Sequence, residues 1–428
     1  MTYAEAMDYI HSVVWLGSRP GLSRISVLCE KLGHPEKELR FIHVGGTNGK
    51  GSFCCMLANI LKEAGYRTGL YTSPYIERFN ERMQIDGEPI SDAELAALTE
   101  QVKVVADTMD DPPTEFELIT ALCFLYFRDH HCDYVVLEVG LGGRLDSTNI
   151  IPAPLLAVIT GIDLDHTALL GDTTAQIAGE KAGIIKSGCT VLFGEGDEDA
   201  ARVIREKAEA MGGRYVRTDY TKLRDVQLFP DKTVYTYGDW QDVTLHLLGL
   251  YQLHNGANVL TAVELLREMG VVLPDTAVYA GLSGAHWPAR FEKLSADPLV
   301  FYDGAHNPQG IRGAVENIRA YLSPTQPDGK VVLCMGVLRD KDFTHMIASL
   351  APLTAKVFTI TPDNPRALPA AETAAVFRTH GTEAVAADRL CDGVQGALAY
   401  AKETGRPLVI LGSLYIYGDV KKALLGNI

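Results

Sequence analysis

The sequence predicts an α/β protein with a mostly parallel sheet, a small antiparallel subsheet and a second α/β domain. Two apolar runs, 134–140 and 155–162, are bounded by turn residues, as strands buried on both faces would be. From residue 41 onward such runs alternate with helical stretches, which is the order of a parallel sheet. The stretch 215–248 instead alternates polar and apolar residues between turns, which indicates the antiparallel subsheet.

The N-terminal elements follow from local patterns. FIHV (41–44) is predicted as a strand, 52–65 as a helix that ends at a C-cap glycine, and 68–72 as a second strand. Ser91 and Glu94 have the spacing of a capping box before a helix that runs through Val105. Helical periodicity returns from Tyr251 to Met269.

A second α/β pattern begins after Pro288. Its four strands are predicted at 299–304, 330–336, 355–360 and 407–413. This pattern predicts a Rossmann-like domain without a phosphate loop of its own. We therefore expect two domains, 1–287 and 288–428.

Composition limits the partners. The net charge of −15 argues against a broad nucleic-acid surface, and no stretch reaches 18 uninterrupted apolar residues, so no membrane span is expected. The eight cysteines form no CxxC pair. We expect a cytoplasmic protein with reduced thiols and small-molecule substrates, and we expect a monomer.

The strongest motif is VGGTNGKGS (44–52), which lies between a predicted strand and a predicted helix. Glycines let the backbone curl until several N–H groups face one phosphate, and the helix N-terminus adds partial positive charge. The residues that would hold ATP here are Thr47, Asn48, Gly49, Lys50, Gly51 and Ser52. Lys50 would reach the β- and γ-phosphates and Ser52 would ligate Mg²⁺, although Gly51 separates them. No NKxD follows, so ATP is favoured over GTP.

Two further side chains come directly after buried strands. Glu138 ends the run VVLE, where a carboxylate beside a phosphate loop can hold Mg²⁺; a strand-end salt bridge is the alternative. His166 follows the next strand and could ligate a second metal, or be a structural histidine. Asp163 and Asp165 could be helix-capping or loop residues.

Helix geometry places a lysine on an apolar face. Thr173 and Gln176 form a capping box, so a helix begins near Thr174. Ile177, Lys181 and Ile184 then lie at i, i+4 and i+7, on one face. Lys181 either reaches the surface with its long side chain or is a functional lysine with a neutral or modified amine.

These motifs, in this order, resemble the Mur ligase superfamily and, within it, folylpolyglutamate synthase and dihydrofolate synthase. The resembling segments are RPGLSRI, FIHVGGTNGKGS, YTSPYIERFNERMQIDG, TEFELITALCFLYF, DYVVLEVGLGGRLDSTN, DLDHTALLGDTTAQIAGEKAGIIK, WPARFE, YDGAHNP, GVLRDKD and GSLYIYG. They run nearly from end to end of the chain.

The resemblance implies the reaction. ATP phosphorylates the terminal carboxylate of a pteroate or folate, and the amine of L-glutamate attacks the acyl phosphate to give an amide, ADP and phosphate. It implies one Mg²⁺ on Ser52 and Glu138, with Ser73 nearby, and a second on His166, with Glu138 or Ser73. Lys181 matches a lysine that is carbamylated by CO₂ in the family. The catalytic set is therefore Lys50, Glu138, His166 and Lys181.

The resemblance also implies the binding residues. Asn258, with Asn255 as the alternative, matches a nucleotide-contacting asparagine, and Arg290 and Asp303 match residues that hold ATP. His306 and Ser413 match positions that orient the incoming glutamate. The folate or pterin side is matched by Thr114, Glu115, Phe116, Glu117, Asp146 and Ser147.

Three positions depart from the family pattern: Ala289 stands where glycine is usual, Asn255 where glutamine is common, and Tyr75 where histidine is frequent. Another Mur-type amino-acid ligase is an alternative, but we expect no extra N-terminal UDP-binding domain, because the phosphate loop begins by residue 45. A non-ligating ATP-binding switch would need neither Lys181 nor a second metal site. Addition of the first glutamate to dihydropteroate and extension of folates both remain open.

Overall fold

The structure is a computed structural model that describes residues 1–13, 17 and 19–425. These residues form two compact units. The first contains the described residues of 1–223 together with 254–285, and the second contains 224–253 and 286–425. In the described part of the chain, no helix is both long and apolar enough to cross a membrane.

An eight-stranded sheet is the framework of the first unit, with the strand order β4-β3-β2-β5-β1-β6-β7-β8. Its strands are β1 Phe41–Gly45, β2 Thr68–Tyr71, β3 Met83–Ile85, β4 Glu88–Pro89, β5 Tyr134–Glu138, β6 Leu156–Gly161, β7 Thr190–Glu195 and β8 Tyr215–Arg217. All neighbours pair in parallel except β2–β3 and β3–β4. The predicted mostly parallel sheet is confirmed.

Helices cover this sheet. They are α1 Tyr3–Ser12, α2 Ser23–Lys31, α3 Lys50–Glu63, α4 Asp92–Ala106, α5 Glu115–Asp129, α6 Thr167–Leu170, α7 Thr174–Lys181, α8 Glu198–Ala210, α9 Tyr251–Glu268 and α10 Asp275–Ser283. Of these, α1, α4, α5, α7 and α8 begin with a side-chain cap. The Thr173–Gln176 capping box is present. For α4 only half of the predicted box forms: Ser91 accepts from the Glu94 amide, but the Glu94 carboxylate pairs with His130 instead.

The strand order fixes where the loop after β1 lies. Strand β1 is flanked by β5 and β6, with Val44 opposite Glu138 and Gly45 opposite Ile159. All three strands are parallel, so their carboxyl ends meet at one edge of the sheet, which is where ligands bind in such folds. One apolar core packs α2, α4 and α5 around β1 and β5, and a second packs α7 and α8 against β6 and β7.

The second unit has a three-stranded antiparallel sheet and a six-stranded sheet of order β12-β13-β17-β14-β15-β16. Its strands are β9 Leu223–Phe229, β10 Lys232–Tyr237, β11 Trp240–Leu245, β12 Glu292–Ala296, β13 Leu299–Asp303, β14 Val331–Met335, β15 Thr354–Thr359, β16 Glu383–Ala386 and β17 Leu408–Leu411. Its remaining helices are α11 Pro308–Asn317, α12 Phe343–Leu350, α13 Ala370–Thr379, α14 Leu390–Thr404 and α15 Tyr417–Leu424. The small antiparallel sheet and the C-terminal α/β pattern are as predicted.

Residues 224–253 group with the second unit, whereas the sequence interpretation kept them within 1–287. The physical reason is packing: Leu248 belongs to the same apolar core as Phe291 and Phe301, and the Thr233 and Tyr321 hydroxyls lie 2.7 Å apart. The limits 1–287 and 288–428 stay a prediction.

Candidate active site

The loop after β1 is held by two glycines that no other residue could replace without strain. Gly46 has φ +142°, and a Cβ there would lie 2.1 Å from Thr160 Oγ1. Gly49 has φ +84°, and a Cβ there would lie 2.3 Å from Asn255 Oδ1. The glycines of the phosphate-loop motif are thus needed both for backbone conformation and for close approach.

Hydrogen bonds fasten this loop to the end of β6. The Thr47 amide donates to Gly161 O at 2.7 Å, and Thr160 Oγ1 donates to Asn48 O at 2.6 Å. Thr47 Oγ1 also donates to Asp163 O at 3.2 Å. These bonds use one amide, one carbonyl and one hydroxyl of the loop, so the loop is shaped before any ligand arrives.

Lys50 is the first residue of α3, and its side chain folds back over the loop. Its Nζ donates to Gly46 O at 2.9 Å and to Thr47 O at 3.3 Å. Gly51 and the buried Ser52 complete the first turn of the helix. A helix N-terminus, a lysine and a hydroxyl therefore converge where the sequence predicted a phosphate site.

Lys181 reaches the same loop from α7. Its side chain is 5% exposed, and its Nζ donates to Gly46 O at 2.9 Å. The pKa of Lys181 is lowered to about 7, mainly by burial and further by the charge of Lys50, with Asp165 and Asp146 opposing. The predicted inward-facing lysine is confirmed, and burial shifts its amine toward the neutral form near pH 7.

Glu138 lies buried at the end of β5, opposite Val44 of β1. Its Oε2 accepts the Ser73 amide at 3.0 Å, which brings the loop after β2 to the same edge of the sheet. Carboxylate and hydroxyl oxygens from Glu138, Ser73 and Ser52 are hard donors of the kind that Mg²⁺ prefers. This donor chemistry fits the predicted first metal site.

His166 lies in the loop between β6 and α6. Its backbone has φ +47°, its imidazole is 57% exposed, and Nε2 is 3.7 Å from Asp165 Oδ2. Among the residues that the structure describes, no three His, Cys, Asp or Glu side chains are grouped to hold a metal ion. A second metal site on His166 therefore stays a prediction.

Several residues of the predicted folate side make contacts that hold the fold together. Glu117 Oε2 accepts from the Thr114 amide at 2.7 Å and from Arg24 Nε at 3.0 Å. Thr114 and Glu117 therefore cap α5, and Arg24 anchors its first turn to the rest of the unit. Glu115 pairs with His11 at 2.9 Å.

Phe116 and Asp146 instead lie beside the turn that follows β5, Phe116 next to Gly140 and Asp146 next to Leu141. A Cβ on Gly140 would lie 2.5 Å from the Phe116 ring. Asp146 Oδ2 accepts the Leu141 amide at 2.8 Å. Ser147, which follows Asp146, is buried.

Two asparagines of α9 lie beside the phosphate loop. Asn258 Oδ1 accepts from Tyr220 at 2.8 Å, and its Nδ2 donates to Thr160 O at 3.4 Å. Asn255 is the one that faces Gly49. The residue the sequence ranked second is thus the nearer of the two to the loop.

Arg290 and Asp303 belong to the second unit. Asp303 ends β13, is buried, and accepts the Ala305 amide at 2.9 Å. Burial raises the pKa of Asp303 to about 6, and the guanidinium of Arg290 opposes that rise. Both charges also act on the hydroxyl of the half-buried Tyr251, which the sequence did not single out.

His306 and Ser413 follow two adjacent parallel strands, β13 and β17. The Gly412 amide donates to Ala305 O at 3.0 Å, so the two loops are joined. Burial lowers the pKa of His306, and the nearby charges of Lys341 and Arg290 lower it further. A neutral imidazole and a buried hydroxyl therefore lie at one end of this sheet.

Comparison with known proteins agrees with this geometry. Residues 44–266 match the Mur ligase middle domain, and residues 289–414 match the Mur ligase glutamate ligase domain. A folylpolyglutamate synthase of Lacticaseibacillus casei is 40% identical over 100% of both chains. A dihydrofolate synthase/folylpolyglutamate synthase of Bacillus subtilis is 36% identical over 99% of both.

The chain belongs to the folylpolyglutamate synthase/dihydrofolate synthase family of Mur ligases. Crystal structures of Mycobacterium tuberculosis folylpolyglutamate synthase complexed with ADP and AMPPCP are also similar, at TM-score 0.86 and 30% identity over 99% of this chain and 98% of that one.

For this folylpolyglutamate synthase family member, sequence reasoning missed Thr160, Tyr251 and Lys341. Thr160 has no motif signal, since its role depends on β6 lying beside β1. Lys341 stands within GVLRDKD, one of the segments that carry the family resemblance, but only the structure shows its charge acting on His306.

Proposed function

We propose that this protein is an ATP-dependent ligase that adds L-glutamate to the terminal carboxylate of a folate, and of dihydropteroate, through an acyl phosphate. The observation that carries the proposal is the pair of lysines on Gly46 O: Lys50 on the phosphate loop and a buried Lys181 beside it. A plain ATP-binding switch has no use for the second lysine. Membership of the family supports the same reaction.

ATP binds through the loop 46–52. The amides at the N-terminus of α3 face the phosphates, and Lys50 turns from Gly46 O to the β- and γ-phosphates. Asn255, beside Gly49, and Asn258 are the nucleotide-contacting candidates of the first unit. Arg290 and Asp303 are candidate ATP-binding residues of the second unit. Gly49 must remain free of a side chain for this approach.

Phosphoryl transfer brings two anions together, and this chain supplies the charges that oppose their repulsion. The carboxylate oxygen of the acceptor attacks the γ-phosphorus, and ADP leaves with the electrons of the broken P–O bond. Lys50 balances the negative charge that builds up on the phosphates. Mg²⁺, when bound by Ser52, Glu138 and Ser73, would screen those phosphates further.

The second step is amide formation. The neutral amine of glutamate attacks the acyl carbon, phosphate leaves with the bonding electrons, and the amine loses a proton. His306 is partly buried and has a lowered pKa, so it is able to orient the amino acid as a neutral group together with the buried Ser413. Phe116 and Asp146 hold the ring end of the acceptor.

Lys181 is carbamylated in the working enzyme. A neutral amine adds to CO₂ and releases one proton, which turns a potential cation into an anion. The lowered pKa of Lys181, about 7, keeps the amine neutral enough for this reaction near neutral pH. The carbamate would then favour a second Mg²⁺ near His166.

We also propose that the protein acts in the cytoplasm as a monomer. All eight cysteines are free thiols, and seven of them are buried. Light scattering after size-exclusion chromatography would give a mass near 46.6 kDa for a monomer.

Product mass spectrometry tests the function. The protein is incubated with ATP, Mg²⁺ and glutamate, with dihydropteroate in one tube and tetrahydrofolate in the other, and phosphate release is followed in parallel. Glutamyl addition in both tubes supports a bifunctional enzyme, and addition only to tetrahydrofolate supports a dedicated folylpolyglutamate synthase. ATP binding with no addition in either tube would contradict the proposal and favour another acceptor.

A further inference from the structure

A histidine stands in the middle of the central strand β1. His43 is 0% exposed, and its neighbours along the strand, Phe41, Ile42 and Val44, are all buried and apolar. A buried imidazole among such residues weakens the core unless it serves a purpose, since an aliphatic side chain would fill the space without unsatisfied polar atoms.

One ring nitrogen of His43 has a partner and the other does not. Nε2 lies 2.9 Å from Thr148 Oγ1. Nδ1 is buried and has no hydrogen-bond partner among the described residues. Burying Nδ1 without a hydrogen-bond partner lowers the stability of the fold. The contact that offsets this cost is the hydrogen bond between Nε2 and Thr148.

Thr148 connects His43 to Asp146 through hydrogen bonds. Its Oγ1 donates to Asp146 Oδ1 at 2.6 Å, and its amide donates to the same oxygen at 3.0 Å. A hydroxyl has one proton to give, so with that proton on Asp146 the oxygen must accept from His43. His43 is thus assigned as the Nε2–H tautomer with a bare Nδ1.

The imidazole stays neutral throughout. Burial lowers the pKa of His43 to about 3, and the nearby charge of Lys186 acts in the same direction. The amine of Lys186 is itself held 2.6 Å from Asn149 O, next to Thr148. A fixed neutral donor is what a positioning role requires.

We propose that His43 is a positioning residue for acceptor binding: through Thr148 it fixes the orientation of Asp146, the carboxylate that also holds the Leu141 amide. This inference rests on the proposed function, in which Asp146 contacts the acceptor. His43 never touches substrate. It orients the hydroxyl of Thr148, which leaves Asp146 Oδ2 directed at the loop that begins at Val139.

Substitutions test each contact in the relay. His43→Leu and Thr148→Val remove the donor and the hydroxyl, respectively, while Thr148→Ser keeps the hydroxyl. We expect the first two to raise KM for tetrahydrofolate about tenfold and to leave KM for ATP and glutamate within about twofold, with Thr148→Ser near wild type. The double variant should be no worse than Thr148→Val, because both act through one path. Thr99→Val is the control, since Thr99 is also buried but its hydroxyl bonds to Leu95 O within its own helix.

A spectroscopic measurement tests the relay independently of activity. Long-range ¹H–¹⁵N spectra, with His43 assigned by its loss in His43→Leu, should show a neutral Nε2–H imidazole from pH 5 to pH 8. A charged ring, an Nδ1–H tautomer, or an unchanged folate KM in His43→Leu while wild type ligates glutamate would overturn the inference. Absence of ligation by wild type would instead refute the proposed function. If His43→Leu does not fold, the folate KM of Thr148→Val and the wild-type spectra still test the relay.

Discussion

Lys50 and Lys181 donate to the same carbonyl oxygen, that of Gly46, and each Nζ lies 2.9 Å from it. Two ammonium groups cannot share one oxygen without repulsion, and the buried one yields its proton more easily. The phosphate-loop lysine thereby helps to keep Lys181 neutral while no nucleotide is bound. Nucleotide binding and the chemical state of Lys181 are therefore linked through one backbone atom.

Lys50→Ala should reduce ATP turnover by roughly 10²-fold or more, because no other cation on the described loop opposes phosphate repulsion. The same change removes a charge that lowers the pKa of Lys181, so the Lys181 amine becomes more basic. Phosphate release with tetrahydrofolate and glutamate measures the first effect. Lys62→Ala, at the last turn of the same helix, is the control and should leave ATP turnover unchanged. Equal turnover by both variants would contradict the role of Lys50.

Lys181→Ala should abolish ligation and be partly rescued by small carboxylic acids, which restore a negative group where the carbamate would stand. The folded-state pKa is about 7, below the ordinary 10.5, so the neutral amine and hence carbamate formation increase as pH rises through 7. A ¹³C carbamate signal from ¹³CO₂ should follow that rise and be absent in the variant. Substantial ligation by Lys181→Ala without added acid would refute the carbamate role.

Gly49→Ala should weaken nucleotide binding at least about tenfold. A Cβ would lie 2.3 Å from Asn255 Oδ1 at φ +84°, a conformation that costs L-residues ~1–2 kcal/mol before the clash is counted. Calorimetric titration with AMPPCP measures the loss. Gly179→Ala is the matched control, since a Cβ on this residue of α7 meets nothing within 4 Å. That variant should bind normally and be neutral or more stable.

Ala289→Gly should stabilise the second unit by about 1 kcal/mol. Ala289 is buried at φ +57°, a region that glycine adopts without strain. The melting temperature of that unit should rise by about 2–4 °C. Ala374→Gly, inside α13 of the same unit, should do the reverse because glycine disfavours a helix. A lower melting temperature for Ala289→Gly would contradict the prediction, because it would mean that packing of the alanine methyl stabilises the fold by more than the backbone strain costs.

Asp303→Asn should raise stability at pH 7.5 while lowering activity. The pKa of Asp303 is raised to about 6, so the folded protein binds this proton more tightly than the unfolded chain. Stability therefore falls as pH rises from about 4 to 6, by up to roughly 3 kcal/mol.

Denaturant unfolding of Asp303→Asn should show the gain at pH 7.5 and none near pH 4. Asp328→Asn is the opposite case, because Arg406 lowers the pKa of Asp328 from 3.8 to about 2. The stability that Asp328 contributes is fully present above its ordinary pKa of 3.8 and is lost as pH falls to about 2. A loss of stability at pH 7.5 in Asp303→Asn would contradict the assigned cost of the buried charge.

Much of this architecture could be predicted because it depends on short-range patterns. The strand before Gly46 and the inward face of Lys181 follow from apolar runs and helix spacing, and both are confirmed. The start of α7 followed from Thr173 and Gln176. Each of these depends on residues only a few positions apart.

What could not be predicted depends on pairing between distant segments. Whether Asn255 or Asn258 faces Gly49 depends on how α9 lies against β1, which no local pattern encodes. Glu115 and Glu117 both lie in the predicted folate segment, and nothing local distinguishes them. In the structure Arg24 binds Glu117, whereas His11 binds Glu115. Residues 224–253 likewise pack with a core whose other members come later in the chain.

That arrangement has a consequence for biosynthesis. The segment 224–253 leaves the ribosome before 286–428, with which it shares its core. At roughly 5–20 residues per second, the apolar side chain of Leu248 waits on the order of ten seconds or longer for Phe301 and the strands around it. During that interval the nascent chain carries an unfinished hydrophobic surface, so chaperone supply and translation speed, rather than final stability, should limit the yield of active protein.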